Sequence, residues 1–314
     1  MISKILWILC LCLLVVFLTV FLWQTNFSKK IVNISGLKTT LPNLDQGELS
    51  KPPRKIANAV NPNINAKALL LSDIQSGQKL YAKNADQKVP IASTTKIMTS
   101  LVVLENYSQK MKDVVTITRE MTAVEGSDIQ LRMSEKITVE NLLKGLLISS
   151  GNDAALAIAN FFGGKDEFVA KMNEKARFIG LKNTLYKDPA GLDDNGYSTA
   201  EDLSVLSSYA LRDKTFAEIV KMPETTITSS DGQIIHELKT SNRLLKPEEP
   251  FYLPFAQGIK TGFTNDAGHC LVSVAQKDDH ELLSVILNTD QNTLTASAQE
   301  SKKLLEWGFA NWQW

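Results

Sequence analysis

The chain has 314 residues, 44% hydrophobic and 22% charged, enough apolar material for one large or two small globular domains. Its 34 basic and 34 acidic side chains cancel, and no Lys/Arg run exceeds two residues, which argues against a nucleic-acid partner held through phosphates. His236, His269 and His280 share no metal-ligand spacing and no H-E-x-x-H string occurs, so neither a metal nor a cofactor is expected.

The first feature along the chain is Ile5–Trp23, 19 residues without a charge, bounded by Lys4 and by Lys29-Lys30. As a helix it would span roughly 28 Å, about the hydrocarbon thickness of a bilayer. Val20-Phe-Leu-Trp-Gln24 offers no small-x-small cleavage site, so residues 1–27 read as a retained membrane anchor. A signal segment, cleaved to release a secreted protein, is the alternative, and lysines on both flanks leave the orientation open. Cys10 and Cys12 lie in this segment; Cys270 stands alone in the remainder, where it reads as a small buried hydrophobe. Residues 28–65 are rich in Asn, Lys, Thr, Pro and Gly without apolar periodicity, and read as a linker to a packed domain over 66–314.

Ala66–Ser72 and Gln78–Ala82 are strand-like, joined by the turn residues Gln75-Ser76-Gly77. Beyond Pro90, the residues Ile97, Met98, Leu101, Val102 and Leu104 recur at helical spacing and predict a helix over 93–105. Thr138 heads an apolar helix ending near Ser149, and Asp153–Phe162 is a second, entered through a turn at Ser150-Gly-Asn152. Pro254–Ile259 leads into a short strand, His269–Ala275 and Glu281–Leu287 form a hairpin, and Ala298–Phe309 is a final helix. Strands at both ends with helices between predict a mixed α/β domain: a largely antiparallel sheet of N- and C-terminal strands with a helical insert.

Three strings carry groups suited to acyl transfer: Ser93-Thr-Thr-Lys96, Ser150-Gly-Asn152 and Lys260-Thr-Gly262. A second S-x-x-K, Ser76–Lys79, falls in the hairpin turn and is set aside. Ser93 and Lys96 share a helix face, and Lys96 can act as a base if burial or a cationic neighbour lowers its pKa. Read alone, Ser93 is equally a helix cap and Lys96 a solvated lysine. Ser150 could relay a proton and Asn152 orient a lysine or bond a substrate amide, although either suits an ordinary turn. Lys260 and Thr261 could hold a carboxylate beside Gly262 on an edge strand, or simply end a strand.

Taken in order, with 57 and then 110 residues between the strings, they resemble the penicillin-binding and serine β-lactamase superfamily. The flanking blocks Pro90–Thr99, Leu143–Ala154, Tyr197–Ala200, Lys260–Thr264 and Leu304–Phe309 are more closely similar to the low-molecular-mass D-alanyl-D-alanine carboxypeptidases, from about Ala66 onward. That resemblance implies a peptidoglycan-directed serine peptidase of DD-peptidase fold, facing the periplasm or cell exterior. Ser93 would attack a D-Ala-D-Ala stem peptide and Lys96 would be its base, with Ser150 and Asn152 in the proton and amide network. Lys260 and Thr261 would bind the terminal carboxylate, Gly262 and Phe263 would complete the substrate-binding strand, and the backbone N–H groups of Ser93 and Phe263 would form an oxyanion hole. Penicillins and other β-lactams would be trapped on Ser93.

The sequence also departs from the family pattern. Relatives often carry an Arg downstream of K-T-G that grips the terminal carboxylate, and Asn288–Glu300 contains neither Lys nor Arg. This keeps a DD-endopeptidase acting on cross-links as the alternative. Many relatives continue into a β-rich domain and an amphipathic membrane helix, which leaves membrane attachment here to the N-terminal segment. A β-lactamase lacks support because no E-x-x-L-N string follows Ser150. An inactive cell-wall scaffold would have no need of Ser93 and both lysines.

Overall fold

The computed structural model describes residues 51–289 and 293–314. The expected anchor Ile5–Trp23 and the linker up to residue 50 lie outside these. Among the described residues no helix is long and apolar enough to cross a membrane.

In chain order the strands are β1 (Arg54–Lys55), β2 (Ala68–Asp73), β3 (Lys79–Lys83), β4 (Val114–Thr116), β5 (Lys136–Thr138), β6 (Glu224–Thr228), β7 (Ile235–Lys239), β8 (Ala256–Thr264), β9 (Gly268–Lys277), β10 (His280–Leu287) and β11 (Trp312–Gln313). Five of them make an antiparallel sheet in the order β3-β2-β10-β9-β8, so the N-terminal strands and the C-terminal strands meet at β2–β10. This is the expected α/β architecture. The insert between β3 and β8 carries helices Lys96–Asn106, Val139–Ile148, Asn152–Phe161, Lys165–Phe178, Ala200–Ala210 and Lys214–Val220, with the small hairpins β4–β5 and β6–β7.

β2 is buried at all six positions because both faces of the sheet are covered. Period-2 alternation divides its side chains between two cores. Ala68 and Leu70 face the helical insert with Leu283, Val285 and Leu287 of β10. Leu69 and Leu71 face the other way with Leu282 and Ile286, against Leu304 and Leu305 of the helix Ala296–Asn311. A one-residue slip of β2 would exchange the two sets, so the dual covering fixes its register.

The packed unit begins before Ala66. β1 pairs with β11, the Trp307 indole N–H donates to the Val60 carbonyl at 2.7 Å, Asn65 N–H donates to Glu300, and Ile64 is buried. The end of the expected linker, from Arg54 onward, is therefore laid along the domain. Two-residue strands and single backbone bonds leave no hydrophobic period, which explains why composition alone reads this stretch as linker. The strand after Pro254 is also longer than expected, nine residues, and forms the sheet edge.

Candidate active site

Ser93 lies in a 3-10 turn, Ala92–Thr95, and the α-helix begins at Lys96. The residue before the serine, Ala92, has φ +46, a left-handed backbone disfavoured for a residue with a Cβ by about 1–2 kcal/mol. The surroundings hold it there. Ile91 and Ala92 are buried beneath β8, and a side chain at Gly262 would come within about 3 Å of Ile91 O and Ser93 N. Only glycine admits this approach of strand backbone to the serine.

Lys96 is fully buried, and its Nζ donates to Ser93 Oγ (2.8 Å), Asn152 Oδ1 (2.7 Å) and Ala190 O (2.8 Å). All three ammonium protons of a charged lysine would be used, and a neutral amine would keep a lone pair for the serine hydroxyl. Burial pushes its pKa well down, and the charge of Lys260 pushes the same way, against Asp188 and Asp153. Lys260 is equally buried, donates to the Thr261 carbonyl at 3.1 Å, and has its pKa lowered by burial to about 7.

Asn152 is fixed from both ends: its N–H donates to Ser127 O at 2.8 Å and its Nδ2 to Glu125 O at 2.6 Å. Next to it the buried Asp153 carboxylate accepts the backbone N–H groups of Ile129, Leu131 and Ala154, holding the 125–131 loop above the cleft. Burial raises the Asp153 pKa in spite of those bonds. Opposite, Asp188 accepts from the N–H groups of Ala190, Gly191 and Asp193, which aims the Ala190 carbonyl at Lys96. Gly191, at φ +82, packs so closely on the Ala92 carbonyl that no Cβ fits there.

The sequence-predicted site residues converge. Ser93, Ser150, Asn152, Thr261, Gly262 and Phe263 line one cleft of about 480 Å³, within the size range of ligand sites, while Lys96 and Lys260 lie buried at the same site. Ser150 takes a left-handed conformation, φ +62, and among the described residues no hydrogen bond joins it to either lysine. Thr261 Oγ1 is hydrogen-bonded to Ser241, and Phe263 is half exposed, stacked on His269 with ring centroids 4.4 Å apart. Ser76 sits in the β2–β3 turn bonded to Asp73, remote from this cleft.

Sequence reasoning missed Glu125, Asp153, Asp188 and Ala190, which act through carbonyls and caps, together with the cleft-lining Ser241, Arg243 and Lys246. Asp188-Pro-Ala-Gly191 does carry turn chemistry, the one available signal for the loop that supplies a lysine partner. Cys270 borders the cleft, but burial pushes its thiol up to about 12, which leaves it inert as a nucleophile. Among the described residues no group of His, Cys, Asp and Glu is arranged to hold a metal. The arrangement has the parts for serine acyl transfer: a hydroxyl on a lysine of lowered pKa, an amide beside it, and an edge strand along the opening.

Comparison with known proteins agrees. The chain is 35% identical over 253 residues to D-alanyl-D-alanine carboxypeptidase DacF of Bacillus subtilis, covering 79% of this chain and 63% of that protein. It is 33% identical over 262 residues to a D-alanyl-D-alanine endopeptidase of Pseudomonas aeruginosa, covering 82% and 83%. A mutant of the Streptomyces K15 DD-transpeptidase superposes with a TM-score of 0.74 at 32% identity, over 80% of this chain and 100% of that one. The match spans somewhat under two thirds of the length of several carboxypeptidase relatives, 62–64% of each. The model of the peptidase S11 family, D-alanyl-D-alanine carboxypeptidase, matches residues 55–291, and the chain belongs to that family.

Proposed function

We propose that the chain is a serine-type D-Ala-D-Ala carboxypeptidase that trims peptidoglycan stem peptides through an acyl-enzyme on Ser93. The observation that carries this reading is the fully buried Lys96 amine, 2.8 Å from Ser93 Oγ and lowered in pKa by burial and by Lys260. Ser93 Oγ attacks the carbonyl of the penultimate D-Ala and its proton passes to Lys96 Nζ. The tetrahedral oxyanion is received by the backbone N–H groups of Ser93 and Phe263; a donor of this kind contributes roughly 3–4 kcal/mol to the barrier. Collapse breaks the peptide bond, the departing D-Ala amine takes a proton, and water then hydrolyses the Ser93 ester with Lys96 again as base.

Asn152 holds Lys96 and faces the substrate amide, and Ser150, at the cleft wall, serves the proton network. Lys260 acts from within, keeping Lys96 neutral by its charge and fixing the Thr261 carbonyl, while Thr261, Gly262 and Phe263 align the substrate along the strand edge. A β-lactam takes the same attack and stays as a long-lived ester. The apolar segment Ile5–Trp23 tethers the domain outside the cytoplasmic membrane, where peptidoglycan lies.

A DD-endopeptidase remains the second reading, favoured by the lack of any Lys or Arg in Asn288–Glu300 and by the Pseudomonas relative. Purified protein incubated with monomeric and cross-linked muropeptides, read by mass, separates the two. Loss of one D-Ala from monomers is the expected result; dimers converted to monomers, with pentapeptide untouched, would select the endopeptidase.

A further inference from the structure

Strand β7 and the residues after it tie together three parts of the cleft. Ser241 bonds Thr261 on the edge strand, Lys239 N–H donates to Ser149 Oγ at 3.0 Å beside Ser150, and His236 reaches the 125–131 loop. His236 is buried, with Nδ1 2.8 Å from Ile129 O and Nε2 2.7 Å from Oε1 of the buried Glu135. A carbonyl oxygen only accepts, so Nδ1 carries a proton. Nε2 then either donates to the Glu135 carboxylate or accepts from the carboxylic acid, and both arrangements leave the buried pair without net charge. The other Glu135 oxygen accepts the Arg132 N–H at 2.9 Å.

Ile129 is thereby held from both sides. Its N–H donates to the Asp153 carboxylate at 3.1 Å, and its carbonyl accepts from His236. Its side chain packs so closely on the next helix that a Cβ at Gly145 would lie 2.6 Å from it. The loop needs such ties. Gln130 and Ser134 take left-handed backbone, φ +61 and +68, which residues with a Cβ keep only where the surroundings fix it. From the same loop the Ser127 carbonyl accepts the Asn152 N–H and the Glu125 carbonyl accepts from Asn152 Nδ2. The position of the loop therefore sets where Asn152 Oδ1 meets Lys96 Nζ, 2.7 Å away.

We propose that His236 is a positioning residue for Asn152: bonded to Ile129 O and paired with Glu135, it closes a frame around the 125–131 loop and so fixes the contact between Asn152 and Lys96. It acts through the loop and not on the substrate. The frame joins an acid from before the first cleft helix, Glu135, and one from after the Ser150 turn, Asp153, through a histidine supplied by a later hairpin. The inference rests on the acyl-transfer reading of Ser93.

The test is a double-mutant cycle on the full chain, read as the second-order rate constant for acylation by benzylpenicillin. His236→Phe keeps a ring but leaves Ile129 O and the Glu135 carboxylate without their partner, and should slow acylation by a factor on the order of 10–100. In an Asn152→Ala background the same substitution should change the rate by less than about twofold, because the group it positions is gone. Glu135→Gln can still accept the Arg132 N–H while donating to a neutral His236, and should stay within about threefold of the unmodified protein. Should His236→Phe yield no folded protein, His236→Gln, which can reach one partner but not both, carries the same cycle. An unchanged rate in the His236 variants, or an equal loss with and without Asn152, overturns the inference while the acyl-transfer reading stands. If penicillin does not acylate the unmodified protein, the acyl-transfer reading is itself refuted, and this inference with it.

Discussion

The two sides of the central sheet are built on opposite terms. On one side Leu69, Leu71, Leu282 and Ile286 meet Leu304 and Leu305, and the polar groups buried with them are partnered, Ser301 by Ser273 and Ser284 and the Glu300 carboxylate by Asn65 N–H and Lys303. On the other, beside an equally apolar helical insert, the structure buries two lysine amines and the Asp153 carboxylate and holds Ala92 and Ser150 in left-handed backbone. The first side stabilises the fold; the second holds charge and backbone geometry that the fold would shed if it could. Side chains that lower stability yet are fixed by many bonds are what the proposed acyl transfer asks of this side.

The largest effect expected from this contrast is on rate. Lys96→Met should reduce acylation of Ser93 by penicillin by a factor of roughly 10²–10⁴, measured as a second-order rate constant, because the base is gone while the apolar stem still fills its slot. An acylation rate within a few-fold of the unmodified protein would remove Lys96 as base. Leu71→Ala tests the other side. It should cost about 2–5 kcal/mol by denaturant unfolding and leave the acylation rate of the folded protein near its original value.

Lys260 joins the two effects. Its pKa is lowered to about 7 by burial, against a usual value near 10.5, so between those values the unfolded chain binds more protons than the native one. Stability therefore rises with pH across that window, and Lys96 acts in the same direction. Lys260→Met should raise stability near pH 7 by about 1–2 kcal/mol, flatten that rise, and slow acylation. A thermal midpoint that falls on substitution would contradict the account of an unfavourable buried charge. The smallest effect belongs to the exposed pair Lys112–Glu140: Lys112→Ala should change unfolding free energy by under about 1 kcal/mol and leave acylation alone.

How far this was legible in the sequence follows the same physics. Helix Val139–Ile148 with its Thr138 cap, the β9–β10 hairpin and the buried strand β2 announce themselves by period, cap and turn residues. The three motif strings place Ser93, Lys96, Ser150, Asn152, Lys260, Thr261 and Gly262 at one cleft, because the first two strings sit at the ends of strongly patterned helices and the third lies on the edge strand beside them. Contacts through backbone carbonyls leave no such trace. Ala190, which accepts from Lys96, and Glu125, which accepts from Asn152, could have been almost any residue. Arg243 and Lys246 line the cleft from a turn before β8, a neighbourhood that only the folded chain creates.

The most direct test of the central claim is the intact mass of the protein after incubation with benzylpenicillin. The unmodified chain and Ser76→Ala should each gain one penicilloyl group, localised by peptide mapping to the tryptic fragment containing Ser93, and Ser93→Ala should gain none. A penicilloyl adduct on Ser93→Ala, or none on the unmodified protein, would contradict the assignment of Ser93 as the nucleophile.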